Sequence, residues 1–565
     1  MQISGQLRAS AGTLARIRLR WQLGRFMAAT EDCMTTQAET LASLLELNGQ
    51  SDLGRQHGLE RASSPDDLNK ALPVTDYSFY RAAIERAKLG ETEALLGPKN
   101  RLMMFTLSSG TTSDSKFIPV TNRFYRDYRR SWQLWGISAF DSRPKMKALK
   151  IVQLSSDYQR FETPGGTPCG NISGLAAAMQ KPAVKLLYTL PSVLAKIDNA
   201  ANKYYAALRL AVADPHVGML TTANPSTLVQ MAQIANDRKE ELIRDIHDGT
   251  LSVAANLPAS VRVALAKRCS KADPRRARNL ERWAEQSGQL LPKDYWPDLQ
   301  LAAVWTGGSC AAYLPTLQEY YGNVPVRDHG LSASEGRMTI PFEDNSPDGI
   351  LDITAHYYEF IPETEYGSKT PTILKAHELD VDENYFILLT TASGFYRYDI
   401  CDVVRCVGHH RTTPVLRFLH KGAHISNITG EKLSESQVVE AVRATLTEFS
   451  HRVGCFTLIP SWGEPPRYRL MLEDWEVPPN GRSRQFETRL DERLCELNCE
   501  YQEKRTTFRL APLEILPLRR GSWGEFARDR QAKLGGSIEQ YKHPCLLPNL
   551  DLASQVASRF RLDDN

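Results

Sequence analysis

The chain is 565 residues long, with 69 basic and 66 acidic residues and a formal net charge of +3. Its length predicts more than one domain, and so balanced a charge argues against nucleic acid as a partner. Apolar residues make up 42% of the chain, and no apolar run approaches the ~20 residues that span a bilayer. We expect a cytoplasmic, monomeric protein that acts on small molecules and not on membranes.

The first thirty residues contain several arginines and neither Asp nor Glu. Such a composition is typical of an organelle transit peptide, but it also fits a basic helix that packs through Leu14, Ile17 and Trp21. We favour the helix, because no break typical of a cleavage site separates this stretch from the helical spacing of leucines in 37–47.

The rest of the first 300 residues is predicted to be mostly helical with a few strands. Helices are expected at Gln37–Leu47, after Ser64, at Tyr77–Leu89, after Thr121 or Asn122, and over most of 175–290; strands at Leu102–Leu107, Ala148–Ser155 and Val217–Thr222; and a loop at Thr163–Gly170.

Short strands rich in β-branched and aromatic residues dominate from residue 299 to about 420. Beyond this point strands alternate with helices, which are expected at Ser434–Phe449 and Ser483–Glu500. We therefore predict an α/β protein, with a large domain of mixed sheets and helices in residues 1–420 and a smaller α+β domain in residues 421–565.

Two of the ten cysteines, Cys495 and Cys499, are four residues apart in a predicted helix, which would place them on one face. No second pair with zinc-ligand spacing accompanies them. We expect reduced thiols and no metal site there.

The segment from Leu102 to Thr121 combines a strand-like apolar run with a dense cluster of hydroxyls that ends in a lysine. A polyphosphate needs several short donors and a cation, which Lys116 supplies. The spacing resembles a Walker loop, but Ser115 replaces the second glycine and Phe117 replaces the magnesium-binding hydroxyl, so we reject that interpretation. A polar surface turn remains the alternative. The hydroxyls and backbone N–H groups that would contact phosphates belong to Ser108, Ser109, Gly110, Thr111, Thr112 and Ser113.

Three further segments follow predicted strands. Gly307, Gly308 and Ser309 would let the backbone approach a flat ligand closely. Glu335 offers one carboxylate in a loop of small residues, which suits a magnesium ion bound partly by phosphates, although an exposed Glu in a turn is equally compatible. Asp399 or Asp402 could hold a ribose diol; a salt bridge with Arg397 or Arg405 is the alternative.

Together these segments resemble the auxin-responsive acyl-acid amido synthetases of plants and their bacterial relatives, a branch of the adenylate-forming superfamily. The similarity extends from about Gln37 to Lys542. Five motifs occur in the order found in that family: Ser108-Ser-Gly-Thr-Thr-Ser-Asp-Ser-Lys116, Leu331-Ser-Ala-Ser-Glu335, Tyr357-Tyr-Glu-Phe-Ile-Pro362, Gly394-Phe-Tyr-Arg-Tyr-Asp-Ile-Cys-Asp402 and Gln540-Tyr-Lys542.

The resemblance implies ATP and Mg2+ as cofactors, bound between a large domain and a small mobile one. It assigns 108–113 and Lys116 to the phosphates, Glu335 to magnesium and Asp402 to the ribose. We also expect nucleotide contacts from Gly307, Gly308, Ser309, Ser334, Tyr396 and Arg417. Arg417 matches the family's arginine just before the interdomain hinge.

Lys542 matches the family's C-terminal lysine, and its surroundings read as too polar for a core, so domain movement is expected to bring it to the phosphates. Two positions depart from the family pattern. Leu331 stands where a tyrosine often faces the adenine, and Cys545 stands where an arginine commonly follows Lys542-His-Pro544.

The function implied is adenylation of a small carboxylic acid followed by transfer of the acyl group to an amine or amino acid. A thiol acceptor would instead make the chain an acyl-CoA or carrier-protein ligase; a stand-alone adenylating or hydrolytic enzyme and a non-enzymatic nucleotide-binding regulator are further alternatives. The acyl pocket is expected around Trp305, residues 220–226 and residues 163–174. The apolar Met219, Leu220 and Trp305 favour an aromatic or hydrophobic acid.

Overall fold

The structure is a computed structural model. It describes residues 13–108, 116–366, 368–422, 425–426, 428–429, 431, 433–463, 465–479, 481–506, 508–534, 541–548 and 550–562. The chain forms two compact units that are not contiguous in sequence. The first runs to Trp305 and includes Leu317–Ile400 and Val404–Arg417, whereas the second contains Thr306–Thr316, Cys401–Val403 and the chain from Phe418 onward.

The first unit contains three larger sheets and a small hairpin. Its seven-stranded sheet has the spatial order Thr339–Ile340, Gly349–Leu351, Thr413–Lys421, Tyr398–His410, Asn384–Thr390, Tyr357–Pro362 and Leu374–Lys375. One four-stranded sheet has the order Lys116–Thr121, Leu102–Ser108, Pro168–Gly170, Phe161–Glu162, and a second, which is parallel, has the order Lys150–Gln153, Val217–Thr221, Leu301–Ala303, Val326–Arg327. The hairpin pairs Ser332–Ala333 with Gly336–Arg337.

Helices cover these sheets because their apolar residues recur at helical spacing on one face. The helix Asn122–Asp141, for example, buries Phe124, Leu134 and Trp135. The helices of the first unit are Thr13–Ala29, Cys33–Asn48, Asp52–Gln56, Pro65–Ala71, Tyr77–Lys88, Asn122–Asp141, Ile172–Ala178, Pro182–Lys185, Ala200–Val212, Pro225–Asp237, Lys239–Asp248, Ala259–Cys269, Pro274–Ser287, Pro292–Tyr295 and, in its C-terminal part, Leu314–Tyr321.

Local capping signals place several helix starts correctly. Ser64 and Thr121 accept hydrogen bonds from backbone N–H groups of the first turns of the helices that follow them, as predicted. Residues 163–170 differ from the prediction, since Pro168–Gly170 forms a strand beside Leu102–Ser108. A buried strand of three residues gives too short a pattern to be recognised in a sequence.

The N-terminal helix, Thr13–Ala29, forms as predicted, but it does not pack through the predicted face. Trp21 is 61% exposed and Ile17 is 55% exposed, whereas Phe26 is buried and packs near Phe342. The spacing of the three predicted residues is helical, but helical spacing alone does not show which face the rest of the protein covers. Leu14's side chain lies outside the described residues.

The second unit is built on a three-stranded sheet of order Thr457–Ser461, Arg467–Glu473, Glu514–Leu518 and a two-stranded sheet of Ile425–Ser426 with Leu433–Ser434. The helix Glu435–Glu448 begins with a capping box between Ser434 and Gln437, and it packs in a core with the helix Arg482–Leu497. Its other helices are Cys499–Thr506, Ser522–Leu534 and Leu550–Phe560. Strands and helices in both units confirm the predicted α/β class.

Two predictions about the second unit are wrong. The helix predicted to reach Glu500 ends at Leu497, and Cys499 opens another helix, so Cys495 and Cys499 do not share a helix face. The surroundings of Lys542 are not polar, since residues 543–547 are all buried and only Lys542 itself is exposed. The buried run contains His543, whose pKa burial lowers to about 3, so this histidine is accommodated as a neutral ring.

Candidate active site

A tight antiparallel strand pair holds the two ends of the predicted phosphate loop. Ser108 is paired with Lys116, and Leu107 is paired with Phe117. The loop residues themselves, Ser109, Gly110, Thr111, Thr112 and Ser113, lie outside the described residues, as does the side chain of Ser108. The pairing therefore fixes where the loop leaves and re-enters the sheet.

Lys116 lies at the re-entry point, beside the start of the helix Tyr77–Lys88. Its Nζ atom is 5.6 Å from the centroid of the Tyr77 ring. Asp76, the N-cap of that helix, has a pKa lowered by its hydrogen bond to Ser78, with a smaller contribution from the charge of Lys116. Within the described part of the chain Lys116 forms no ion pair, so its charge is available to a ligand.

Tyr77 connects Lys116 with Glu335 and was not predicted as a site residue. Its hydroxyl accepts the backbone N–H of Phe117 at 2.9 Å. Burial raises the pKa of Tyr77, and the negative charge of Glu335 adds to this effect. The first position of a capped helix has no motif that marks it, so only the folded chain shows that Tyr77 lies near Lys116 and within the electrostatic influence of Glu335.

Glu335 occupies the turn of the hairpin formed by Ser332–Ala333 and Gly336–Arg337, and it is buried. Ser334, beside it, is half-buried. A Cβ atom at Gly336 would lie 2.9 Å from the Nε2 atom of His356, closer than real contacts allow, so glycine is required for the hairpin to pack there. A single carboxylate oxygen ligand in this turn fits a hard cation that takes its remaining ligands from phosphates and water.

Tyr396 and its neighbours lie in the core of the first unit. Tyr396 is 0% exposed, and its carbonyl oxygen accepts hydrogen bonds from the hydroxyls of Tyr80 and Thr75. Arg397 forms a buried ion pair with Glu359 at 3.1 Å, and Asp399 accepts a hydrogen bond from Tyr366. The segment before Asp402 is therefore held rigidly by core contacts.

Arg417 is the last residue of the first unit. Its Nε and Nη2 atoms donate to the two carboxylate oxygens of Asp348 at 2.6 and 2.8 Å. This bidentate pair is the largest cause of the raised pKa of Arg417.

Within the second unit, the predicted residues Gly308 and Lys542 meet at one aromatic ring. Gly308 has φ +56°, and a Cβ atom there would lie 3.1 Å from the ring of Phe418. The Nζ atom of Lys542 is 5.5 Å from the centroid of the same ring. Gly307 and Ser309 flank Gly308 at the start of a 3-10 helix, Gly308–Tyr313.

Asp402 also belongs to the second unit and is buried. Next to it, the carbonyl oxygen of Cys401 accepts the backbone N–H of Gly422 at 2.7 Å. Farther along the chain, the carboxylate of Glu435 accepts the backbone N–H groups of Cys545 at 2.6 Å and Leu546 at 3.3 Å. These contacts fix the backbone close to Asp402 and to Lys542.

Some of the residues predicted to line an acyl pocket converge on His329. The hydroxyl of Thr221 is 3.2 Å from its Nε2 atom, and the ring of Trp305 is 6.5 Å from its ring. Met219 and Leu220 lie in the core instead. Residues 163–174 pack on other segments, with Gly165 donating to the carbonyl oxygen of Lys88 and Asn171 to that of Asp157.

Comparison with protein families gives three consecutive matches over most of the chain. Residues 22–326 match the GH3 family N-terminal domain, residues 349–421 the GH3 family central domain, and residues 436–551 the GH3 family C-terminal domain. The chain belongs to the GH3 family, which confirms the resemblance found in the sequence.

Individual relatives match almost the full length. The jasmonoyl--L-amino acid synthetase JAR6 of Nicotiana attenuata is 25% identical and covers 94% of each chain. The probable indole-3-acetic acid-amido synthetase GH3.2 of Oryza sativa subsp. japonica is 25% identical over 90% of this chain and 87% of its own. The solved GH3.15 acyl acid amido synthetase shares the fold, with a TM-score of 0.83, 20% identity and coverage of 96% of both chains.

The relatives named here are amido synthetases and thus ligases. In the described part of this chain, every helix is too short or too polar to cross a membrane. The same residues hold no cluster of three or more His, Cys, Asp or Glu side chains arranged to bind a metal ion.

Proposed function

We propose that the chain is an ATP-dependent acyl-acid amido synthetase that conjugates a small carboxylic acid to an amine or amino acid. A carboxylate oxygen attacks the α-phosphorus of ATP, and the bond from that phosphorus to the bridging oxygen breaks to release pyrophosphate. An amine nitrogen then attacks the acyl carbon, loses a proton and displaces AMP. The observation that carries the proposal is the position of Lys116 beside Tyr77, whose pKa also responds to the charge of Glu335, in a chain of the GH3 family. Lys116 forms no ion pair with the residues that the structure describes.

The phosphate groups are assigned to the backbone N–H groups and hydroxyls of 108–113 and to Lys116. Negative charge grows on the α-phosphate oxygens when the carboxylate attacks, and on the phosphate of AMP as it leaves the acyl carbon. Preorganised donors stabilise this charge better than water does. A magnesium ion held by Glu335 would neutralise phosphate charge and favour the departure of pyrophosphate. Asp402 is assigned to the ribose diol, because a carboxylate accepts two hydrogen bonds from vicinal hydroxyls.

The other residues predicted to belong to the site take supporting roles in this proposal. Gly307, Gly308 and Ser309 approach the nucleotide through backbone atoms, and Ser334 and Tyr396 shape its surroundings. Arg417, fixed by Asp348, orients the chain that leads to Phe418. Lys542 contributes a positive charge in one of the two half-reactions. Residues 1–420 would form the ATP- and acid-binding domain and residues 421–565 a mobile domain of a cytoplasmic monomer.

The relatives' names support an acid with a hydrophobic or aromatic body and an amino acid acceptor, since they mention jasmonoyl and indole-3-acetic acid conjugates. The rings of Trp305 and His329 support the same preference. Acceptance of a thiol, which would make the chain an acyl-CoA or carrier-protein ligase, is the second candidate.

The test is to incubate the protein with ATP, magnesium and a library of carboxylic acids, and to follow pyrophosphate release with and without amino acids or CoA. The proposal expects acid-dependent release and an amide product with at least one amino acid. A thioester product with CoA alone would favour the second candidate. Nucleotide binding without turnover for any acid would favour a regulator and contradict the proposal.

Two variants test the assigned residues in the same assay. Lys116→Ala and Glu335→Gln should each lower acid-dependent pyrophosphate release by roughly 10²-fold, the usual effect of removing one group that stabilises transition-state charge. Lys185→Ala, an exposed lysine of the first unit, is the matched control and should release pyrophosphate at the wild-type rate. A normal rate and normal magnesium dependence in Glu335→Gln would remove Glu335 from the metal site.

A further inference from the structure

Arg337 is a buried arginine whose guanidinium has no hydrogen-bond partner among the described residues. The residue is 1% exposed, and none of Nε, Nη1 and Nη2 is hydrogen bonded within that part of the chain. Burial lowers its pKa to about 10, so it still carries its charge near neutral pH. The guanidinium lies 3.9 Å from the centroid of the Trp132 ring, which is the contact that holds it.

The acidic residues nearest to Arg337 make their hydrogen bonds elsewhere. Asp352 accepts hydrogen bonds from the hydroxyls of Ser131 and Thr354. Asp328 accepts the backbone N–H of Gly330 at 2.6 Å. Both raise the pKa of Arg337 through their charge, but neither carboxylate accepts a hydrogen bond from its guanidinium.

The remaining neighbours are aromatic and uncharged. His329 lies edge-on to Trp132 at 4.8 Å between ring centroids. Burial lowers the pKa of His329 to about 3, and the positive charge of Arg337 contributes to the shift, so the ring is neutral near pH 7. Among the described residues, the guanidinium of Arg337 therefore lies against the Trp132 ring, and no side chain or carbonyl accepts its hydrogen bonds.

Such an arrangement is unfavourable in the free protein. Burying an ion without a hydrogen-bonded partner is costly, and a cation–π contact offsets only part of that cost. An anionic ligand would complete the site, because a guanidinium binds a carboxylate through two parallel hydrogen bonds.

Arg337 also lies where the acid of the proposed reaction is expected. It follows Glu335 by two residues, and an extended chain advances ~3.3 Å per residue, so the two Cα atoms are roughly 6–7 Å apart. His329, whose ring lies edge-on to Trp132, is also the residue on which Thr221 and Trp305 converge.

We propose that Arg337 binds the carboxylate of the acyl acid and that the rings of Trp132, His329 and Trp305 select flat aromatic acids. This inference rests on the proposed function. The carboxylate loses its negative charge when its oxygen becomes bonded to phosphorus, so Arg337 binds the substrate more strongly than it binds the acyl group of the adenylate. Its removal raises the KM for the acid far more than it lowers kcat.

Binding without ATP tests the proposal directly. The probes are benzoate, phenylacetate and indole-3-acetate, each compared by calorimetry with its uncharged carboxamide. The wild-type protein should bind at least one acid more than tenfold more tightly than the matching carboxamide. Arg337→Gln should lose that preference, and Arg337→Lys should recover part of it, since an ammonium group keeps the charge but not the bidentate geometry.

A thermal unfolding measurement separates ligand binding from a structural role. Arg337→Gln in the unliganded protein should unfold at the wild-type temperature or above it, because an unpaired buried charge is removed. Arg327→Gln is the matched control. This buried arginine of the first unit donates to Asp344 at 2.8 Å, so its loss should lower the unfolding temperature and leave the preference for the acid intact.

The result that overturns the inference is an equal affinity of the wild-type protein for every acid and its carboxamide, or an unchanged preference in Arg337→Gln. If the wild-type protein releases acid-dependent pyrophosphate while Arg337→Gln keeps the preference, only the role of Arg337 fails. If the preference depends on Arg337 but no acid supports pyrophosphate release, the carboxylate site stands and the proposed reaction fails.

Discussion

The charged side chains near the proposed site differ in whether their polar atoms have a partner within the fold. Lys116, Glu335 and Tyr77 lie near one another through a ring contact and charge rather than through an ion pair. Arg337 is buried without a hydrogen-bonded partner in the described chain, while Arg397, equally buried, is paired with Glu359. Arg337 therefore indicates a ligand more strongly than Arg397 does, because its guanidinium has no acceptor among the described residues.

Tyr77 is expected to act as a positioning residue for Lys116. Tyr77→Phe removes the acceptor of the Phe117 N–H group and should loosen the strand that begins at Lys116, at a cost of about 1 kcal/mol in stability. The KM for ATP should rise several-fold while kcat changes less.

The matched control is Tyr205→Phe, which removes a buried hydroxyl that donates to Asp245 at 2.8 Å in the same unit. Steady-state kinetics and thermal unfolding of both variants check the prediction. Tyr205→Phe should lower stability and keep the KM for ATP. An equal change in the KM for ATP in the two variants would show that Tyr77 supports the fold only.

Glu476 should make the protein less stable as the pH rises towards neutrality. Burial raises its pKa from 4.5 to about 7, so between these values the unfolded chain loses the proton while the folded chain keeps it. The stabilisation is complete below pH 4.5 and is lost as the pH rises to about 7. At 1.36 kcal/mol per pKa unit, the loss is at most about 3 kcal/mol.

Glu476→Gln removes this titration. Its amide oxygen can still accept the backbone N–H of Gly454, and its amide nitrogen takes the place of the Oε2 atom, which has no partner in the described chain. The unfolding temperature of the variant relative to that of the wild-type protein should be higher at pH 8 than at pH 5. The same difference in unfolding temperature at both pH values would contradict the assignment.

At the level of whole elements, the N-terminal helix was predicted correctly, but the face through which it packs was not. It packs through Phe26, with Leu23 and Met27 beside it, against a core that includes Leu134 and Trp135. Arg20 pairs with Asp141 at the surface, and the guanidinium of Arg25 lies 5.0 Å from the ring of the exposed Trp21.

This packing predicts opposite outcomes for two aromatic residues of one helix. Phe26→Ala should destabilise the protein by roughly 3–5 kcal/mol, since it empties a buried site. Trp21→Ala should change stability by no more than about 0.5 kcal/mol, as is usual for exposed positions. Denaturant unfolding measures both, and a larger loss in Trp21→Ala than in Phe26→Ala would restore the face predicted from the sequence.

On the scale of the whole molecule, each compact unit supplies one lysine of the proposed reaction. Lys116 belongs to the first unit and Lys542 to the second, where Glu435 anchors the buried segment that follows it. The two lysines can therefore be removed separately, and their effects on the two half-reactions compared.

Lys542→Ala is expected to impair one half-reaction more than the other. The measurements are acid-dependent pyrophosphate exchange and aminolysis of a supplied acyl adenylate. Lys542→Arg keeps the charge and should retain most of the affected activity. If Lys542→Ala runs both half-reactions at wild-type rates, Lys542 is a surface lysine with no part in the reaction.

Features determined by neighbouring residues were predictable, and those determined by distant contacts were not. The caps at Ser64 and Thr121 were found because a short side chain next to a helical pattern has one dominant use. The meeting of Tyr77 with Glu335, and of Arg337 with Trp132, joins residues some 200 or more positions apart. No spacing rule reports such contacts, which depend on how the sheets and helices pack.

The non-contiguous makeup of the second unit has a consequence for expressing parts of this protein. A fragment that starts at residue 421 would lack Ala311, which packs on the core of that unit, and Tyr313, whose hydroxyl lies 3.0 Å from the Sγ atom of Cys455. The apolar surface left uncovered would favour aggregation. A fragment that also carries residues 306–316, joined through a designed linker, should therefore remain dispersed at higher concentration than the simple truncation.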